Sequence, residues 1–139
     1  MITTRQRDLV RGTWQQILPV QAAASAIFYD RLFRLDPTLR PLFPTDLKGQ
    51  RVKLMGALDF IVGNLGDPER LVPVLEDLGR GHRRFGLAAK DFDLVGEALM
   101  WALKQGLGTA FTPEVREAWA TAYALVADIM LAAMEEAIA

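Results

Sequence analysis

Hydrophobic positions recur at steps of three and four from one end of the chain to the other, and no stretch alternates with the period of two that a half-buried strand needs. The pattern predicts an all-α protein. The first helix runs from about Thr4 to Leu18, with Thr3 or Thr4 as cap and Leu9, Val10, Trp14 and Ile17 as its apolar set; Pro19 ends it. A second, about Gln21 to Arg34, places Ala22, Ala26, Tyr29 and Phe33 on one face. Asp36-Pro37 then opens a short helix that stops at Leu42-Phe43-Pro44. A helix of about Gly49 to Asn64 carries a stripe of Gln50, Leu54, Ala57 and Ile61, with Lys53 beside it. Asp67-Pro68 starts the next, which reaches about Phe85, with Gly86 as a left-handed terminator. Lys90 to Asp93 begins another, with Phe92, Val95, Leu99 and Leu103 on one face and Gly106-Leu107-Gly108 at its end. Thr112-Pro113 caps the last, about Pro113 to Ala137, bearing Trp119, Tyr123, Val126, Ile129 and Met130. The expected architecture is six long helices and one short one, without repeats, linkers or low-complexity segments.

The 139 residues predict a single domain, 1–139, large enough to remove roughly 68 to 70% of its unfolded surface from water. Hydrophobic residues make up 51% of the chain, slightly rich for a globular protein, as suits helices that bury a wide face or enclose a ligand. A net charge of −1 favours neither nucleic acid nor an acidic membrane as partner. The absence of cysteine rules out disulfides, thiolate metal sites and thiol nucleophiles. The N-terminus has no apolar export core, and no uncharged apolar run reaches about 18 residues. The expectation is a soluble, cytoplasmic protein.

Candidate chemistry centres on the single histidine. Leu71, Leu75, Leu78 and His82 share one helix face, while Glu76, Asp77, Arg80 and Arg83 largely fall elsewhere. A core imidazole needs a hydrogen-bond partner or a metal, since burying it unsatisfied costs about 1 to 3 kcal/mol. One axial nitrogen in an apolar cleft is what a haem site asks of its protein. A hydrogen-bonded core histidine satisfies the same pattern, so the face alone leaves both readings open.

The order of short phrases narrows the choice. Phe28-Tyr29-Asp30-Arg31-Leu32-Phe33, Leu39-Arg40-Pro41-Leu42-Phe43, Gln50-Arg51-Val52-Lys53-Leu54-Met55, Leu78-Gly79-Arg80-Gly81-His82, Leu94-Val95-Gly96-Glu97-Ala98-Leu99 and Ala118-Trp119-Ala120-Thr121-Ala122-Tyr123 follow one another at spacings that resemble a globin. Over nearly its whole length the chain is similar to bacterial single-domain globins and to the globin domain of flavohaemoglobins. The resemblance implies a globin fold around one b-type haem, with His82 as the proximal iron ligand and a backbone carbonyl near Leu78 as the acceptor for its other ring nitrogen. It also implies Tyr29 and Gln50 as distal hydrogen-bond donors to a bound gas. Phe43 and Leu54 are the expected apolar walls. Leu42, Leu58, Leu78, Leu87, Phe92, Val95 and Leu99 are further haem contacts, and Lys53 and Arg84 are candidates for the propionates.

Two positions depart from the flavohaemoglobin pattern. That family has a tyrosine ten residues after the histidine and a glutamate late in the last helix, which together polarise the imidazole; here they read Phe92 and Met134. Glu135 is one step away, a turn of roughly 100 degrees around the helix. The expected histidine is therefore more neutral, suited to binding dioxygen, NO or CO and poorly suited to peroxidase-like chemistry. The competing reading is an NO dioxygenase. Because the sequence stops at Ala139 without flavin or nicotinamide regions, its electrons are expected from a separate reductase. A gas sensor and a haem-free interaction module are further alternatives, set against by the missing output segment and by the combination of His82, Tyr29 and Gln50. The expected assembly is a monomer or weak dimer.

Overall fold

The structure, a computed structural model, describes residues 2–84 and 89–136; for 82–84, 89 and 136 it describes the backbone alone. Six α-helices follow in order: α1 Thr4–Ile17, α2 Gln21–Leu35, α3 Lys48–Gly63, α4 Pro68–Arg84, α5 Ala89–Leu107 and α6 Pro113–Glu136. A 3-10 helix, Pro37–Leu42, lies between α2 and α3. Among the described residues there is no strand, and the all-α expectation holds.

The helix starts are set by side chains that replace missing backbone partners. Thr3 Oγ1 accepts from the Gln6 amide at 3.0 Å while Gln6 Oε1 accepts from the Thr3 amide at 2.9 Å, a reciprocal capping box. Asp36 accepts from the Thr38 amide at 3.0 Å at the head of the 3-10 helix, and Thr112 Oγ1 accepts from Val115 at 3.2 Å ahead of Pro113. Pro19 does not simply break the chain. It sits in a 3-10 turn, Leu18–Val20, that carries α1 almost directly into α2.

α4 lies along α6, α2 along α5, and α1 against α6. The α4–α6 approach is so close that a Cβ at Gly79 would stand 2.4 Å from the Met130 carbonyl oxygen. α6 is apolar and long enough to span a bilayer by length and composition. Its buried positions, Val115, Ala118, Trp119, Ala122, Val126, Met130 and Ala133, recur at helical spacing and belong to the side that meets α1, α4 and α5. On the α1 side the indole N–H of Trp119 donates to Thr13 Oγ1 at 2.8 Å, and Thr13 in turn donates to the Leu9 carbonyl at 2.7 Å. Trp14 donates to Asp59 at 2.8 Å. These contacts satisfy polar groups whose burial would otherwise be costly.

The buried face of α2 differs from the expected one. Ala24, Ser25, Phe28, Tyr29 and Leu32 are buried, whereas Ala22 is exposed and Ala26 and Phe33 are half-buried. Tyr29 keeps its place because it lies where the two stripes overlap. α3 is also rotated from expectation: Met55 and Val62 are its buried residues, and the predicted stripe of Gln50, Leu54, Ala57 and Ile61 is half-buried.

Candidate functional site

The end of the 3-10 helix and the start of α3 bring Phe43 and Gln50 to the side of α2 that carries Tyr29. Tyr29 is 4% exposed. Phe28 meets its ring edge-on at 4.9 Å, Phe43 edge-on at 5.7 Å, and Phe33 stacks on it at 5.9 Å. Ala22 and Ala26, expected as its neighbours, are not the groups that enclose the ring. Burial pushes the phenol's pKa up; the Gln50 side chain, through a hydrogen-bonding influence on the phenol oxygen, works in the opposite direction. The net upward shift keeps the hydroxyl protonated, and therefore a donor, at neutral pH.

Leu54, Leu58 and Leu99 come together with Trp14, Ile17, Phe28, Met55 and Leu103 around a small, wholly apolar cavity between α1, α2, α3 and α5. A space lined in this way stays dry. Leu42, at the end of the 3-10 helix, is 38% exposed, and Lys53 is exposed on α3.

On α4, Leu71 and Leu75 are 2% and 0% exposed and Leu78 is half-buried, as the predicted stripe requires. Removing one such leucine from water is worth about 1.5 to 3 kcal/mol. The backbone of His82 continues this face in the last turn of α4. The side chains of His82 and Arg84, and all of Leu87, lie outside the described residues. Phe92 and Met134 are buried, at 9% and 7% exposed. Val95, one turn after Phe92 on α5, is half-buried.

Two contributors were not anticipated. Tyr123 of α6 donates its O–H to the Phe92 carbonyl, and its ring packs close on Gly96, where a Cβ would stand 2.8 Å from the ring. Arg40 of the 3-10 helix donates to the carbonyls of the loop that follows it. Their targets are backbone atoms, so no residue pattern announces the contacts. Among the described residues no three histidine, aspartate or glutamate side chains gather to hold a bare metal ion. Phe43, Leu54, Leu58, Leu78 and Val95 pack on the core yet keep part of their apolar surface uncovered.

Six α-helices in this order, with a 3-10 helix between the second and third, define the class of fold. The sequence model of the globin family matches residues 26–130, and the chain belongs to that family. It is 32% identical to a neuroglobin of Danio rerio, covering 93% of this chain and 90% of the relative. It is 34% identical to a flavohemoprotein of Rhizobium meliloti (strain 1021), over 97% of this chain but 34% of that longer protein. Among solved structures it superposes with a TM-score of 0.89 and 28% identity on an engineered carbene transferase derived from a putative nitric oxide dioxygenase of Rhodothermus marinus, covering 99% of this chain and 96% of the other.

Proposed function

We propose that the protein binds dioxygen and other diatomic gases, NO and CO among them, reversibly at a b-type haem, with His82 as axial ligand and Tyr29 and Gln50 as donors on the gas side. The observation that carries this reading is the placement of Tyr29, whose phenol is buried among the rings of Phe28, Phe33 and Phe43 with the Gln50 side chain beside it. When bound, the haem supplies an iron with one position for the histidine and one for the gas. The chain supplies the rest. Tyr29 would present its O–H, and the Gln50 amide an N–H, to the partial negative charge of a bound dioxygen. Phe43 and Leu54 exclude water from that space. Lys53 and Arg84 are the candidates for the propionates. Family membership supports haem-dependent gas binding in general; the residue roles are our reading, as are a cytoplasmic location and a monomeric or weakly dimeric state.

A second reading, NO dioxygenation, draws on the similarity to the flavohemoprotein and to the putative nitric oxide dioxygenase. It combines NO, dioxygen and one electron into nitrate, the electron coming from a reductase outside residues 1–139. The apolar Phe92 and Met134 favour simple binding, because neither can draw a proton from the imidazole and make it more electron-rich. One experiment separates the two. Haem-loaded protein is supplied with dioxygen, NO and a competent reductase. A single stoichiometric conversion without sustained nitrate release is the result expected of a binder. Continued turnover would establish the enzyme instead, and failure of the purified chain to take up haem would overturn both readings.

A further inference from the structure

The loop that joins the 3-10 helix to α3 carries Phe43 at one end and delivers Gln50 just beyond the other. Its own bonds are few: the Phe43 amide donates to the Arg40 carbonyl at 3.1 Å, Pro44 lacks an amide proton, and the Lys48 amide donates to Asp46 Oδ1 at 3.0 Å. Three successive carbonyls are instead collected by one side chain. Arg40 Nη1 donates to the oxygens of Phe43 at 3.3 Å and Pro44 at 2.9 Å, and Nη2 donates to Thr45 at 2.8 Å. Among the described residues the ion pairs are Arg5–Glu114, Arg34–Asp30 and Arg80–Asp77, so Arg40 directs its guanidinium to backbone oxygens and not to a carboxylate. A planar fork can span successive carbonyls in this way; a lysine ammonium, a single point of charge, cannot.

The same guanidinium stands 5.3 Å over the Phe33 ring. Phe33 stacks on Tyr29 at 5.9 Å and meets Phe43 edge-on at 5.4 Å. Arg40 therefore touches both ends of one aromatic arrangement: Phe43 through its carbonyl, and Tyr29 through the Phe33 ring.

We propose that Arg40 is a positioning residue, a clasp that fixes the 43–45 loop and the Phe33–Tyr29–Phe43 cluster so that the Tyr29 hydroxyl and Gln50 are held facing one another. The loop half of this inference stands on the geometry alone; its consequence for gas binding rests on the function proposed above. Arg40→Met keeps an apolar stem over Phe33 and removes every donor, while Arg40→Lys keeps the charge and loses the fork.

Hydrogen–deuterium exchange over residues 43–48, measured on the purified chain with and without haem, is expected to quicken about tenfold or more in Arg40→Met, as suits the loss of charge-assisted bonds. Arg40→Lys should restore it only in part, with α6 unchanged in both. Dioxygen release from the haem-loaded protein is expected to quicken several-fold in Arg40→Met, and this increment should vanish in a Tyr29→Phe background, since a residue that acts through Tyr29 has nothing left to act on. Unchanged exchange at 43–48 would overturn the clasp whether or not haem binds. Faster exchange with an undiminished increment in the Tyr29→Phe background would overturn the positioning role.

Discussion

The chain has two tyrosines, and they are used in opposite ways. Tyr123 donates to the carbonyl of Phe92, a backbone atom that no rotamer change can move, and presses its ring on Gly96. Tyr29 is enclosed by three phenylalanine rings and answered by a side chain, Gln50, and not by the backbone. Burial pushes the pKa of both phenols up. At Tyr123 the negative charge of Asp93 adds to the effect and the Gly96 backbone offsets part of it; at Tyr29 Gln50 provides the offset. Both hydroxyls thus stay protonated, and the difference lies in their partners. A donor bound to a fixed acceptor is a strut. A donor with a side-chain partner can turn to a ligand without breaking the fold around it.

The largest effect expected from this contrast is at Tyr29. Tyr29→Phe should speed dioxygen release by about 10- to 100-fold, the loss of a hydrogen bond to a partly charged ligand, with haem content unchanged; stopped-flow displacement by CO measures it. An unaltered release rate would remove Tyr29 from this role. Gly96→Ala attacks the other tyrosine. The added methyl would meet the Tyr123 ring at 2.8 Å, and overpacking of this kind costs roughly 1 to 3 kcal/mol in denaturant unfolding. Tyr123→Phe should cost less, about 0.5 to 1.5 kcal/mol, and leave dioxygen release within about twofold of native, the reverse of the Tyr29 result.

The smallest effect is the pH dependence. Because both phenols have pKa values raised above that of an unfolded tyrosine, the folded state resists their ionisation. Their contribution is fully present below the unfolded value of about 10 and is lost as pH rises from there through the folded values. Unfolding free energy should therefore decline in alkaline solution, less steeply in Tyr123→Phe. A Tyr123→Phe profile that ran parallel to the native one would show that this phenol does not resist ionisation.

Much of the architecture was legible because helix starts are written in local chemistry. Thr3, Asp36-Pro37, Asp67-Pro68 and Thr112-Pro113 each mark a boundary to within a residue or two of where the helix begins. Helix faces were less legible on α2, where Ala22 looks apolar in a pattern but has too little side chain to decide which way the helix turns; Phe28 and Leu32 decide it. The proximity of Tyr29, Phe43 and Gln50 followed from the resemblance of their phrases to a known fold, since positions so far apart in the chain have no periodic relation. The contacts of Arg40 and Tyr123 had no signature in the sequence, because carbonyl oxygens are the same at every residue. Gly96, read as part of a phrase, acquires its meaning only from the ring that covers it.

The most direct test of the whole account is the absorption spectrum of the haem-reconstituted protein, reduced with dithionite and exposed to CO, for the native chain and for His82→Ala. The account predicts stoichiometric haem uptake and a sharp ferrous–CO band typical of a histidine-ligated globin in the native protein, lost or altered in the variant. The same spectrum in both proteins would contradict His82 as the axial ligand, and no uptake by the native chain would contradict the haem site itself.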